Sequence, residues 1–166
     1  MTNKILKYLL QLPVYLLIQI CILNEVLFFS YINPYLYLII LIVMPYKTPK
    51  WFLLLYAFTI GLLLDLFSGN LGMHSTACLI LALIKSPVFK ITIPHNIVEE
   101  YDELTMEKVG VKSFVLYSMI LILVHHTILF ILEHITLDYQ IFVKIIASTI
   151  ITTIIITITQ LFMFKK

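Results

Sequence analysis

The chain has 166 residues, of which 61% are hydrophobic and 12% charged, and its formal net charge is +2. A soluble domain carries about twice that share of charge, so this much apolar surface belongs in a bilayer and the chain reads as an all-α integral membrane protein. The small net charge gives no case for nucleic acid, and the two cysteines, Cys21 and Cys78, sit in apolar runs where they suit packing better than a disulfide or a metal framework.

Lys4 and Lys7 make a short basic start, and residues 8–23 form the first predicted span, with Gln11, Pro13 and Gln19 inside it. No small-residue cleavage site follows the apolar run, so it reads as a retained span. Tyr31-Ile32-Asn33-Pro34 is a turn signal, and residues 31–44 are expected as the second span. The stretch between Pro34 and Pro45 is too short alone for about 30 Å of hydrocarbon, so earlier residues or local thinning must complete it. Pro45 to Lys50 is a tight polar loop.

Trp51 opens the third span, 51–67, at an interface where indole rings prefer to sit. Ser68-Gly69-Asn70 is a turn, and the fourth span is expected over 71–86, with Lys85 and Lys90 snorkelling at its end and Pro87 and Pro94 bracketing its exit. Residues 95–112 are the one long polar segment, acidic through Glu99, Glu100, Asp102, Glu103 and Glu107, and expected as a loop or a surface helix. The fifth span covers 113–132 and the sixth 141–164, where Thr149, Thr153 and Thr157 repeat as a small-residue packing stripe.

Lysine placement orients the chain. With six spans, Lys4, Lys7, Lys47, Lys50, Lys85, Lys90, Lys108, Lys112, Lys165 and Lys166 fall on one side, leaving Lys144 near the other. The positive-inside rule then places both termini and the acidic loop in the cytoplasm.

Asp65 is the leading candidate for a functional residue, because an intramembrane carboxylate costs about 2.5 to 3.5 kcal/mol on insertion scales and is kept only when it faces protein, water or a ligand. It lies 14 residues past Trp51, about 21 Å at the helical rise. His74, His125, His126 and Glu133 count to the same outer half. Gly61 shares a helical face with Asp65, and Gly69 and Gly72 follow, so backbones can approach closely around the carboxylate. The cluster suits helix packing, a partner-docking groove or a ligand pocket open to the outside. A metal site is disfavoured, since His125 and His126 point about 100° apart on a helix. There is no Ser-His-Asp spacing, HExxH or Walker loop to mark an enzyme, and no cofactor motif.

The stretch Gly61-x-x-x-Asp65-x-x-x-Gly69-x-x-Gly72-Met73-His74 resembles the signature of the rod shape-determining MreD family. Tyr31-Ile32-Asn33-Pro34-Tyr35, the segment from Pro45 to Trp51, and His125-His126 with Phe130-x-x-Glu133 are similar to Bacteroidetes-type members; Lys85 departs from them, standing where arginine is expected. The resemblance implies a non-enzymatic subunit of the cell-elongation complex in the bacterial cytoplasmic membrane. It implies direct association with the bitopic protein MreC and, through it, with MreB, RodA and a class B penicillin-binding protein. It also implies a fold similar to the six-helix substrate-binding subunits of energy-coupling-factor transporters. Solute capture by such a subunit is therefore the rival expectation.

Overall fold

The computed structural model describes residues 2–24, 32–70, 72–94, 103–134 and 138–164. Its regular elements are all helices: α1 (Thr2–Ile18, continued by a π-helical turn Gln19–Leu23), α2 (Leu38–Val43), α3 (Lys50–Ser68), α4 (Met73–Thr92), α5 (Met106–Val109), α6 (Val111–Glu133) and α7 (Tyr139–Phe164). Five of them, the α1 region and α3, α4, α6 and α7, are long and apolar enough to cross a membrane. In the central layers α3 packs on α4, α4 on α6 and α6 on α7, while α1 leans lightly on α2 and α3.

The expected second span is where the structure departs most from the sequence reading. Tyr31 lies outside the described residues, and within 32–44 only Leu38–Val43 is helical. Asn33-Pro34 breaks the backbone on one side and Pro45 stops it on the other. The segment does not face lipid: Tyr37, Leu38, Leu41, Ile42 and Met44 have no measurable exposure, and Tyr35, Ile39 and Ile40 are nearly as buried. Irregular backbone at membrane depth is tolerated only when protein encloses it and supplies its hydrogen bonds.

Those bonds come from all around the bundle. The buried amide of Gln19 donates to the Pro34 carbonyl at 3.0 Å and accepts from the Leu36 N–H at 2.9 Å. The Tyr35 N–H donates to Thr152 Oγ1 on α7 at 3.2 Å. At the other end the Leu104 N–H reaches the Val43 carbonyl at 3.0 Å, and Lys85 Nζ reaches the Met44 carbonyl at 2.6 Å. Segment 32–44 is thus the axle of the fold, and Lys85 does not snorkel: it is 3% exposed.

Other boundaries move for local reasons. α4 runs six residues past the expected end, through Pro87 to Thr92, and Pro94 lies beyond it. α6 starts at Val111, after Gly110 at φ 84°. The acidic loop expected over 95–112 is described only from Glu103, where it is docked: Leu104, Met106 and Val109 are buried, and Glu103 pairs with Lys7 at 2.6 Å and accepts from the Tyr8 hydroxyl at 3.0 Å. Thr149 and Thr153 are buried as the packing stripe requires, with the Thr153 and Thr157 hydroxyls bonded back to carbonyls of their own helix. Cys21 and Cys78 are both free thiols.

Candidate functional site

Asp65 lies in the last turn of α3 and has no solvent exposure. Its backbone carbonyl ends α3, accepting from the N–H of Gly69 and, at 3.2 Å, from that of Asn70. Its carboxylate starts α4. Oδ1 accepts from the His74 N–H at 2.8 Å and from His74 Nδ1 at 3.1 Å. Oδ2 accepts from the N–H groups of Gly72 and Ser75, each at 3.0 Å, and from the Ser75 hydroxyl. The first N–H groups of a helix have no partner of their own and carry its positive dipole end. One carboxylate, borrowed from the preceding helix, satisfies them and caps α4 across the turn.

The glycines make this approach possible. A Cβ on Gly61 would lie 2.4 Å from Ser75 Cα, 2.5 Å from its nitrogen and 2.7 Å from the carbonyl carbon of His74. Gly61 therefore lets α3 press its backbone against the first turn of α4, one helical turn below Asp65. Gly69 (φ 72°) and Gly72 (φ 92°) adopt the left-handed conformation that reverses the chain in so few residues.

A second layer is built from imidazoles and tyrosines. The Tyr35 ring lies 5.7 Å from that of His74, 6.0 Å from His125 and 5.2 Å from His126. The Tyr37 hydroxyl is 2.9 Å from His125 Nε2, and Cys78 Sγ is 3.9 Å from both. His126 Nδ1 donates to the Ile122 carbonyl at 2.8 Å. His125 and His126 are fully buried, and His125 Nδ1 and His126 Nε2 have no hydrogen-bond partner among the described residues.

Toward the end of α6 the layer opens into a cavity of about 280 Å³ lined by Asn24, Asn33, Tyr35, Asn70, His74 and Glu133, among others. Glu133 accepts from Lys144 at 3.1 Å, and the Lys144 ammonium sits 4.4 Å from the centre of the Phe130 ring. The sequence reading left Lys144 alone on the outer side; the fold pairs it.

All eight expected site residues thus fall in one region, in unequal roles. Gly61, Asp65, Gly69, Gly72 and His74 form the helix clamp, His125 and His126 pack behind it, and Glu133 faces His74 across the cavity. Ser75 and Tyr37 were missed, and Gln19 was noted in the first span without a role. Ser75 carried a usable signal: three residues past a capping glycine, its N–H and hydroxyl both reach the cap.

The chemistry this permits is limited. The Asp65 carboxylate is saturated by five donors. It stands between the Ser75 hydroxyl and the His74 imidazole, whereas a proton relay from hydroxyl to base needs the imidazole in the middle. Among the described residues no three His, Cys, Asp or Glu side chains are grouped to hold a metal. Comparison of the chain with protein-family models, curated proteins and solved structures returns no match.

Proposed function

We propose that the chain is a non-enzymatic, MreD-like membrane subunit of the bacterial cell-elongation complex, maintaining cell shape by organising MreC and the peptidoglycan synthases. In this reading segment 32–44 counts as a sixth crossing, both termini face the cytoplasm, and the membrane is the bacterial cytoplasmic membrane. The observation that carries it is the clamp. The motif behind the resemblance assembles with its carboxylate fully used in joining α3 to α4, which suits a scaffold whose output is a surface. The test is isolation in mild detergent followed by intact-complex mass spectrometry. A bitopic MreC-like partner in stoichiometric amount is expected; its absence from both detergent and nanodisc preparations sinks the proposal.

The outer cavity supports a second reading, capture of a small polar solute by a subunit of the energy-coupling-factor type. Its amide, phenol, imidazole and carboxylate groups converge on about 280 Å³. That reading expects a bound solute to raise the melting temperature, and an ATPase module to co-purify.

A further inference from the structure

The cavity of about 280 Å³ beside Glu133 is walled by hydrogen-bond acceptors that the fold itself leaves unused. His74 supplies the first. Its Nδ1 lies 3.1 Å from Asp65 Oδ1, an oxygen of a carboxylate that accepts on every side, so Nδ1 carries the ring hydrogen. In the neutral ring Nε2 is then a lone-pair acceptor. His74 is 5% exposed and lines the cavity, and Nε2 has no hydrogen-bond partner among the described residues. Asn33 supplies the second. Its Oδ1 is buried without a partner, while its Nδ2 makes a 3.5 Å contact to the Tyr35 hydroxyl. Glu133 adds a carboxylate, whose Oε2 holds Lys144. No lysine or arginine is among the described residues that line the cavity. Native structures rarely leave buried acceptors empty, and helix packing gives no reason to place two here.

What fits such walls is a group that brings donors and no lone pair. A primary ammonium has three N–H donors and no acceptor, and its bonds to Asn33, His74 and the Glu133 carboxylate are charge-assisted. A carboxylate or phosphate would set its own lone pairs against those of His74 and Asn33. At roughly 30 Å³ per water the cavity has the volume of about nine waters, the scale of a small amine. Met73 and Leu129 give it an apolar side, and Phe67, 68% exposed, stands where it opens.

We propose that this cavity is a binding site for a small organic amine, whose ammonium group is received by His74 Nε2, Asn33 Oδ1 and Glu133. The proposal deepens the solute-capture reading, on which it rests for its purpose.

The test uses the full chain in detergent and reads melting temperature. Ethylammonium chloride, tetramethylammonium chloride and sodium chloride are compared at equal ionic strength; the first two share a charge, but only ethylammonium has N–H donors. Asn33→Leu is the site variant, because it removes the carbonyl at similar bulk and breaks one long contact. Glu133→Gln is the second, and it keeps an oxygen for Lys144. Asp138→Asn, outside the cavity lining, is the charge control.

Stabilisation is expected from ethylammonium alone, with an apparent affinity about tenfold weaker in either site variant and unchanged in the control. No stabilisation beyond sodium chloride overturns the proposal, as does equal stabilisation by tetramethylammonium or an equal loss in the control. An anionic solute found bound by intact-complex mass spectrometry, with ethylammonium inert, removes the amine and leaves solute capture standing. An ethylammonium effect without a co-purifying ATPase module keeps the site and removes transport.

Discussion

Asp65 and Tyr37 both make buried polar contacts, but they differ in what their removal leaves behind. Asp65→Ala strands the N–H groups of Gly72, His74 and Ser75 and the Ser75 hydroxyl, and each buried orphan costs about 1 to 3 kcal/mol. A loss of about 3 kcal/mol or more is expected, read as a fall in melting temperature in detergent. Asp65→Asn keeps one acceptor oxygen and should fall between the two. Tyr37→Phe removes the bond to His125 and a long contact from the Cys78 thiol, and membrane hydrogen bonds average about 0.6 kcal/mol with a maximum near 1.7. A Tyr37→Phe loss larger than that of Asp65→Ala would show that the imidazole layer, and not the clamp, holds the bundle. Gly61→Ala must force its Cβ into backbone atoms that cannot swing aside. It should destabilise as severely as Asp65→Ala, although it adds only a methyl to an apolar face; a melting temperature equal to that of the unmodified chain would disprove the close approach.

At the scale of elements, sequence and structure agree where hydrophobic length decides and part where backbone hydrogen bonds do. α3, α6 and α7 start and stop within two residues of expectation, because an unbroken apolar run has one way to satisfy its backbone in lipid. The stretch between Pro34 and Pro45 was legible as too short to cross alone, but the expected span 31–44 was not legible as an enclosed axle, since its partners Gln19, Thr152 and Leu104 lie outside it in sequence. The clamp was half legible. The spacing of Gly61 and Asp65 pointed to close packing, whereas the use of the carboxylate as the cap of another helix depends on the turn between them. Two predictions belong here. Gln19→Leu keeps bulk but strands the Pro34 carbonyl and the Leu36 N–H, so a destabilisation of about 2 kcal/mol or more is expected on thermal melting. The thiols give a local readout: in detergent Cys21, which is exposed, should react with N-ethylmaleimide within the folded state, and Cys78, fully buried beside Tyr37, only as the core opens. Simultaneous labelling would mean that α4 and α6 separate without global unfolding.

For the whole molecule, the unequal grip on its helices stands out. α3, α4, α6 and α7 form one continuous packing sequence, whereas only 17% of the residues in Leu6–Leu23 are buried, and the N-terminal part of α1 is tied by a few contacts, among them the Tyr56 hydroxyl on the Tyr8 carbonyl at 2.6 Å and the ion pair of Lys7 with Glu103. An exposed pair of that kind contributes under about 1 kcal/mol. The N-terminal part of α1 is therefore the place where the bundle yields first. Topology is testable at the same scale. Single cysteines at Thr48 and Asp138, on a background lacking the native thiols, should be labelled from opposite sides of the membrane if 45–50 faces the cytoplasm and α3, α4 and α6 all cross. Labelling of both from one side would remove the six-crossing arrangement.

The axle also dictates an order of events during synthesis. A six-residue helix flanked by prolines is too short to be held by lipid when it leaves the ribosome, and its backbone groups have no acceptors or donors of their own there. Gln19 is already present, but Lys85, Leu104 and Thr152 are added later, the last 117 residues after Tyr35. Residues 32–44 must wait in the translocation channel, or in water, until α7 is made. Insertion of this segment is consequently a closing step that follows the synthesis of α7, and chains stopped before α7 will present an unfinished centre to membrane quality control.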